Sequence, residues 1–265
     1  MSRLSRKHLL IAGLVVLALA VIPALTLANH AWSTYHWART SNPFTLKLGD
    51  NLSSTWDPYL ATASSDWTAS SVLNTTIVAG GTTGRQCKPT AGRIEVCNAT
   101  YGNNGWLGLA SIWLTNGHIS QATAKMNDSY FNTAQYNTPA WHRLVMCQEV
   151  AHGFGLDHQD TNFNNANLGT CMDYTNNPSG PPSNEHPNTH DYDELATIYA
   201  HLDSFTTVGM PAPKSMPPAM NQISLDGPGQ WGPVIGGSTK GGLVSVHELD
   251  FGHGNKVITY VIWAK

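Results

Sequence analysis

The sequence predicts an α+β fold in which a twisted sheet precedes a long helix, a further helix follows, and a small β extension completes the chain. Three patterns carry that reading. Between Ala31 and Thr138 the chain is rich in Asn, Thr, Ser and Gly, with short apolar or alternating stretches. From Thr138 the apolar spacing becomes that of a helix. Residues 221–265 return to glycine-rich turns and a strand-like run. At 265 residues the chain is long enough for one well-packed domain and an appendage.

In chain order, Arg3, Arg6 and Lys7 stand ahead of the apolar run Leu9 to Ala28, which are the charged and hydrophobic regions of a secretory signal. Thr26-Leu27-Ala28 offers a small-residue cleavage site, and a run of about 20 apolar residues also spans a bilayer if uncleaved. Residues 1–28 are therefore read as a signal peptide or membrane anchor. The protein is expected to be secreted, or held on the outer face of the membrane by residues 9–28. Phe44-Thr45-Leu46-Lys47-Leu48 and Trp106 to Leu114 are strand candidates, and Asn116-Gly117 turns the second into Ile119 to Met126 as a hairpin.

Thr138-Pro139 supplies an N-cap and a proline at the first helical position, after which Trp141, Leu144, Val145 and Gln148 recur at helical spacing. A helix is expected from about Pro139 to Gly153. Gly153 and Gly155 end it, because glycine takes the positive φ that a sharp exit requires. After a polar loop from Gln159 to Gly169, Asp191 to Leu202 reads as the next helix, with Leu195, Ile198, Tyr199 and Leu202 on one face. Pro211, Pro213, Pro217 and Pro218 mark residues 205–220 as an extended linker between a main domain, residues 29–204, and a small β module or extension, residues 221–265, of unread role.

Only 12% of residues are charged, and the net charge is -3. Without Arg3, Arg6 and Lys7 the 14 basic residues fall to 11 against 17 acidic ones, a net of -6, so the surface gives no electrostatic reason to bind nucleic acid. Four cysteines in an exported chain point to disulfides. Of the three possible pairings we favour Cys87 with Cys97, closing a short loop, and Cys147 with Cys171, joining the residue before Gln148 to the residue before Met172. No pair has the close spacing of a cysteine zinc site.

The run Gln148-Glu149-Val150-Ala151-His152-Gly153-Phe154-Gly155-Leu156-Asp157-His158 carries the chemistry. Positions 148 and 152 share one face of a helix, so their side chains can converge on one ion with Glu149 beside it. The helix must then break for a third ligand to return, and Gly155 followed by His158 provides that route.

This run resembles the HExxHxxGxxH signature of the metzincin zinc endopeptidases, with Gln148 in place of the first histidine and ten of the eleven positions compatible. The matrixin-like branch is nearest, because Met172, inside Gly169-Thr170-Cys171-Met172-Asp173-Tyr174, stands where that family has its methionine turn. The resemblance is strong from about Trp106 to Leu202, architectural before that, and absent beyond Phe205. It implies a metzincin-like catalytic domain holding Zn2+ through Gln148, His152 and His158. Glu149 would be the general base and acid, Met172 the hydrophobic floor, and Tyr174 a zinc ligand or oxyanion donor. The implied activity is hydrolysis of a peptide or protein substrate.

Gln148 admits three readings. Its amide oxygen lies as far from Cα as the imidazole Nε2 does, so it can replace that ligand, as a poorer zinc donor in a more accommodating site. Alternatively the metal is lost and the fold serves as a secreted peptide- or glycan-binding module. Glu149 speaks against this second reading, since a carboxylate is costly to bury in a site with no chemistry. In the third, another histidine completes the set, and none has suitable spacing. His142 points to another face, His190 suits a capping or hydrogen-bonding role, and His186, His201, His247 and His253 show no pattern. Asp157 and Asp173 are placed for supporting hydrogen bonds to the site.

Overall fold

A computed structural model describes residues 30–237 and 244–265; the signal or anchor expected over residues 1–28 lies outside them. The chain is a mixed α+β structure of one large sheet and few helices. In order it forms β1 (His36–Trp37), β2 (Phe44–Asn51), α1 (Asp57–Thr68), β3 (Leu73–Ala79), β4 (Ile94–Ala99), β5 (Trp106–Thr115) and β6 (His118–Asn127). These are followed by α2 (Asp128–Phe131), α3 (Pro139–His152), α4 (Thr189–Ile198), β7 (Val234–Gly237), β8 (Val244–Asp250) and β9 (Asn255–Trp263). The strand order is β3-β2-β4-β6-β5-β9-β8-β7, and β1 pairs in parallel with the start of β6. The β3, β2, β4 and β6 strands are parallel, and the pairs from β6 through β5, β9 and β8 to β7 are antiparallel.

Local chemistry explains the central elements. Asn116 and Gly117 both have positive φ, 51° and 82°, as a two-residue hairpin turn requires, and they join β5 to β6 with Thr115 opposite His118. Helix α3 starts where Thr138 accepts a hydrogen bond from the Trp141 N–H and Pro139 occupies the first turn. Every residue from Leu144 to His152 is buried, between β5 and β6 on one side and α1 on the other. A helix buried all round would ordinarily be apolar, so Gln148, Glu149 and His152 inside it demand a chemical reason.

Gly153 keeps a helical φ of -62°, so the sharp exit is made at Gly155 alone, with φ 98° and no room for a Cβ against the Tyr35 carbonyl. Helix α4 is displaced toward the amino terminus from the expected span, because Asn188 caps it. The Asn188 side chain accepts from the His190 and Asp191 N–H groups, and the Asp191 carboxylate accepts from the Asn188 N–H.

The helices cover one face of the sheet. On the other, Met216, Met220, Leu225 and Trp231 pack with Trp106, Leu109, Trp113, Val257 and Val261 of β5 and β9. Where the prolines of residues 205–220 suggest an unpacked linker, Met216 and Met220 are buried, and Trp113 Nε1–H donates to the Met220 carbonyl at 2.7 Å. Proline excludes helix and ladder pairing there, yet a short 3-10 turn at Pro218–Asn221 suffices to deliver apolar side chains to the sheet. Strand β9 pairs with β5 from Trp106 to Thr115, so residues 221–265 continue the main sheet.

Candidate metal centre

The α3 helix carries Gln148, Glu149 and His152, and the Gly155 turn brings His158 back so that its Nε2 lies 3.0 Å from His152 Nε2. The Nδ1 atoms fix what those nitrogens are. His152 Nδ1–H donates to the Leu156 carbonyl at 2.8 Å, and His158 Nδ1 lies 3.3 Å from Asp157 Oδ1, an acceptor. His152 therefore spends its proton on Nδ1 and turns an Nε2 lone pair toward His158, and the two Nε2 atoms converge at the separation of two ligand atoms on one cation. Burial, then neighbouring His158, pushes the His152 imidazole down to about 3, which keeps it a neutral ligand.

Glu149 is fully buried and neither carboxylate oxygen has a hydrogen-bond partner. Burial raises its pKa well above the ordinary carboxyl value. Room for this side chain comes from β5, because a Cβ on Gly108 would collide with Glu149 Oε1. Tyr174 brings a second partnerless group, its buried hydroxyl, with its ring 4.8 Å from that of His158. Its pKa is raised well above normal by burial and then by the charge of Glu149. Two imidazoles converge, the carboxyl of Glu149 is without a partner, and Gln148 lies one helical turn before His152 on the same helix.

The turn below is tied down by its own polar groups. Met172 is fully buried, its N–H donates to Thr170 Oγ1 at 2.9 Å, and its carbonyl accepts from the Gln159 N–H at 2.7 Å. Thr170 Oγ1–H in turn donates to Asp191 Oδ2 of α4. Cys147 and Cys171 form a disulfide linking α3 to this turn, and Cys87 pairs with Cys97. His142 is a packed histidine, donating from Nδ1 to the Thr138 carbonyl among Trp56, Tyr59 and Phe131.

One site residue has no signal in the motif. Tyr260 of β9 lies face to face on His152, with centroids 4.1 Å apart and planes at 7°. Its ring closes the site from the sheet side. Only strand register places it there, since β9 runs beside β5 with Tyr260 opposite Ala110. Gln148 and Tyr174 line an apolar pocket with Trp141, Leu144, Phe163, Ile262 and Trp263, and Lys265 stands over the Phe163 ring.

Elsewhere among the described residues, two groups of His and Asp side chains could hold a metal ion: His30, His190 and Asp191, and His36, His201 and Asp203. In the first, His190 Nδ1 lies 3.0 Å from His30 Nε2, and His30 Nδ1–H donates to the Asp157 carbonyl beside the main site.

No family model matches the sequence, and no curated protein matches it. Among solved structures the fold is similar to one described as "Structure of myroilysin", at 12% identity and a TM-score of 0.37, covering 64% of this chain and 98% of that one. The two disulfides are cross-links of a kind that persists in oxidising, extracytoplasmic compartments. No helix among the described residues is long and apolar enough to cross a membrane.

Proposed function

We propose that this protein is an exported zinc-dependent endopeptidase of the metzincin type. The observation that carries the reading is the 3.0 Å approach of the His152 and His158 Nε2 atoms, with a buried, partnerless Glu149 on the same helix as His152. His152, His158 and Gln148 would hold the zinc, which when bound supplies Lewis acidity and lowers the pKa of water. Glu149 takes the proton of the attacking water and returns it to the leaving amine. A positive charge at the histidine pair would draw Glu149 back toward its ionised form, countering the burial that raises its pKa. The Tyr174 hydroxyl, with no partner of its own, donates to the developing oxyanion. The pocket walls of Trp141, Leu144 and Ile262 accept an apolar substrate side chain.

Zinc analysis of the purified chain, joined to a broad peptide-substrate assay, tests this. Glu149→Ala should abolish turnover and leave the zinc content unchanged. Turnover untouched by that substitution would overturn the assigned mechanism. One observation favours a second reading, a non-catalytic protein that binds a peptide or glycan. Glu149 and His152 are wholly buried, Tyr260 covers the imidazole, and the apolar pocket is lined by Gln148 and Tyr174 but not by Glu149, His152 or His158.

A further inference from the structure

We propose a second metal site, at which His36, His201 and Asp203 bind one divalent ion of the zinc class in a structural role, beside His118. The residues come from two parts of the chain, β1 and the segment after α4. Asp203 Oδ1 lies 3.4 Å from His36 Nε2, 3.3 Å from His118 Nε2 and 3.9 Å from His201 Nε2, and the Nε2 atoms of His36 and His201 are 3.1 Å apart. Ligand atoms around a tetrahedral zinc with bonds of about 2.0–2.1 Å stand roughly 3.3 Å from one another. The three separations among His36, His201 and Asp203, 3.4, 3.9 and 3.1 Å, lie about that spacing.

The supporting hydrogen bonds aim the donors inward. His36 Nδ1–H donates to the Thr34 carbonyl at 2.6 Å, which leaves Nε2 as a lone pair facing the carboxylate. Asp203 Oδ2 is taken by the Arg39 backbone N–H and by its Nη1, both at 3.0 Å, so Oδ1 alone is free to ligate. Ring orientation separates this cluster from that of His30 and His190. Those two rings stack at 15°, so their in-plane lone pairs run nearly parallel, whereas the His36 ring stands at 84° to His201 and 73° to His118. Without a cation, a proton can bridge His201 to His36 and another can bridge His118 to Asp203. The 3.4 Å contact of His36 Nε2 with Asp203 Oδ1 then has no hydrogen in it.

Its role follows from its place. Strand β1 is two residues long and, among the described residues, pairs with the first two residues of β6, and the ion would join it to the chain leaving α4. The test uses the full chain, stripped of metal and titrated with zinc alone, with zinc per chain and the thermal midpoint as readouts. The His201 side chain is 56% exposed, so His201→Ala should leave the fold intact. Expected are the loss of one zinc equivalent per chain in His201→Ala and in His118→Ala/His201→Ala, and loss of the part of the zinc-induced rise in midpoint that this ion supplies. His158→Ala should keep that equivalent. The comparison is between variants, so a failure of the His152–His158 site to bind metal lowers all totals alike and leaves this difference readable. Zinc content and midpoint in His118→Ala/His201→Ala equal to those of the natural chain would overturn the proposal.

Discussion

At the scale of single residues, Gln148 and Tyr260 set the quality of the proposed ion site from opposite sides of His152. A carboxamide oxygen is a poorer zinc donor than imidazole. Gln148→His should therefore tighten zinc by about tenfold or more, with hydrolysis retained or increased, as read by competition with a chelator and by peptide turnover. Tyr260 offers a ring to His152 and a buried hydroxyl with no partner. An unsatisfied buried hydroxyl costs on the order of 1–3 kcal/mol, so Tyr260→Phe should raise the urea midpoint. Tyr260→Ala, which removes the whole stacked ring, should cost about 3–5 kcal/mol. A lowered midpoint in Tyr260→Phe would mean that the hydroxyl has a partner after all. Glu149, His152 and His158 are legible in the sequence because helical spacing and one glycine turn bring them together locally. Tyr260 and His201 are not, because only long-range strand pairing and the path of the chain after α4 carry them to their clusters.

At the scale of elements, α3 depends on what clamps its carboxy-terminal half. The Cys147–Cys171 bond, 24 residues apart in sequence, fastens it to the Met172 turn, and Trp67 Nε1–H donates to the Cys147 carbonyl at 3.2 Å. Closing a loop of that length restricts the unfolded chain by roughly 3 kcal/mol. Cys147→Ser/Cys171→Ser should lower the thermal midpoint and, in the endopeptidase reading, weaken zinc retention. An unchanged midpoint would show that the clamp adds nothing beyond the packing of Met172. The hairpin β5–β6 and helix α3 were readable because each begins or turns on a strong local signal, Asn116-Gly117 and Thr138-Pro139. Helix α1 has a proline and Asp57 in its first turn but no side-chain cap. Its twelve residues are mostly polar or small and bury only Leu60, Ala63 and Trp67, so tertiary packing rather than periodicity makes it a helix.

At the scale of the whole molecule, buried titrating groups set the pH response of the metal-free chain. Burial pushes His30 down to about 4 and His152 to about 3, from 6.5. Unfolded imidazoles take up protons as pH falls through 6.5, and the folded ones do so only near 4 and 3. The unfolded state thus binds more protons in that window, and stability should fall steadily from pH 6.5 toward 3. Glu149 acts in the opposite sense. Its folded pKa is raised, so the folded state keeps a proton that the unfolded state loses above 4.5, and stability is lost as pH rises through that range. A cation at the histidine pair would relieve this second cost, so the zinc-induced rise in thermal midpoint should grow from pH 6 to pH 8. An increment whose pH dependence is the same in Glu149→Gln would place the bound zinc away from Glu149.

The same scale decides where the folding unit ends. Read from composition, residues 29–204 stand as a main domain, followed by a linker and a small β module or extension. The packing makes a different demand, because β9 covers the edge of β5 along its length, and Met220, Leu225 and Trp231 cover Trp106 and Trp113 on the face away from the helices. A chain ending at residue 204 would expose that edge and those two tryptophans, and would remove Tyr260 from His152. Such a fragment should be recovered aggregated or unfolded, with no cooperative thermal transition. The full chain should melt in one transition, whether followed by tryptophan fluorescence or by zinc release. Recovery of a soluble fragment of residues 29–204 that melts cooperatively would restore the boundary at the prolines and reduce β7–β9 to a passenger on the sheet.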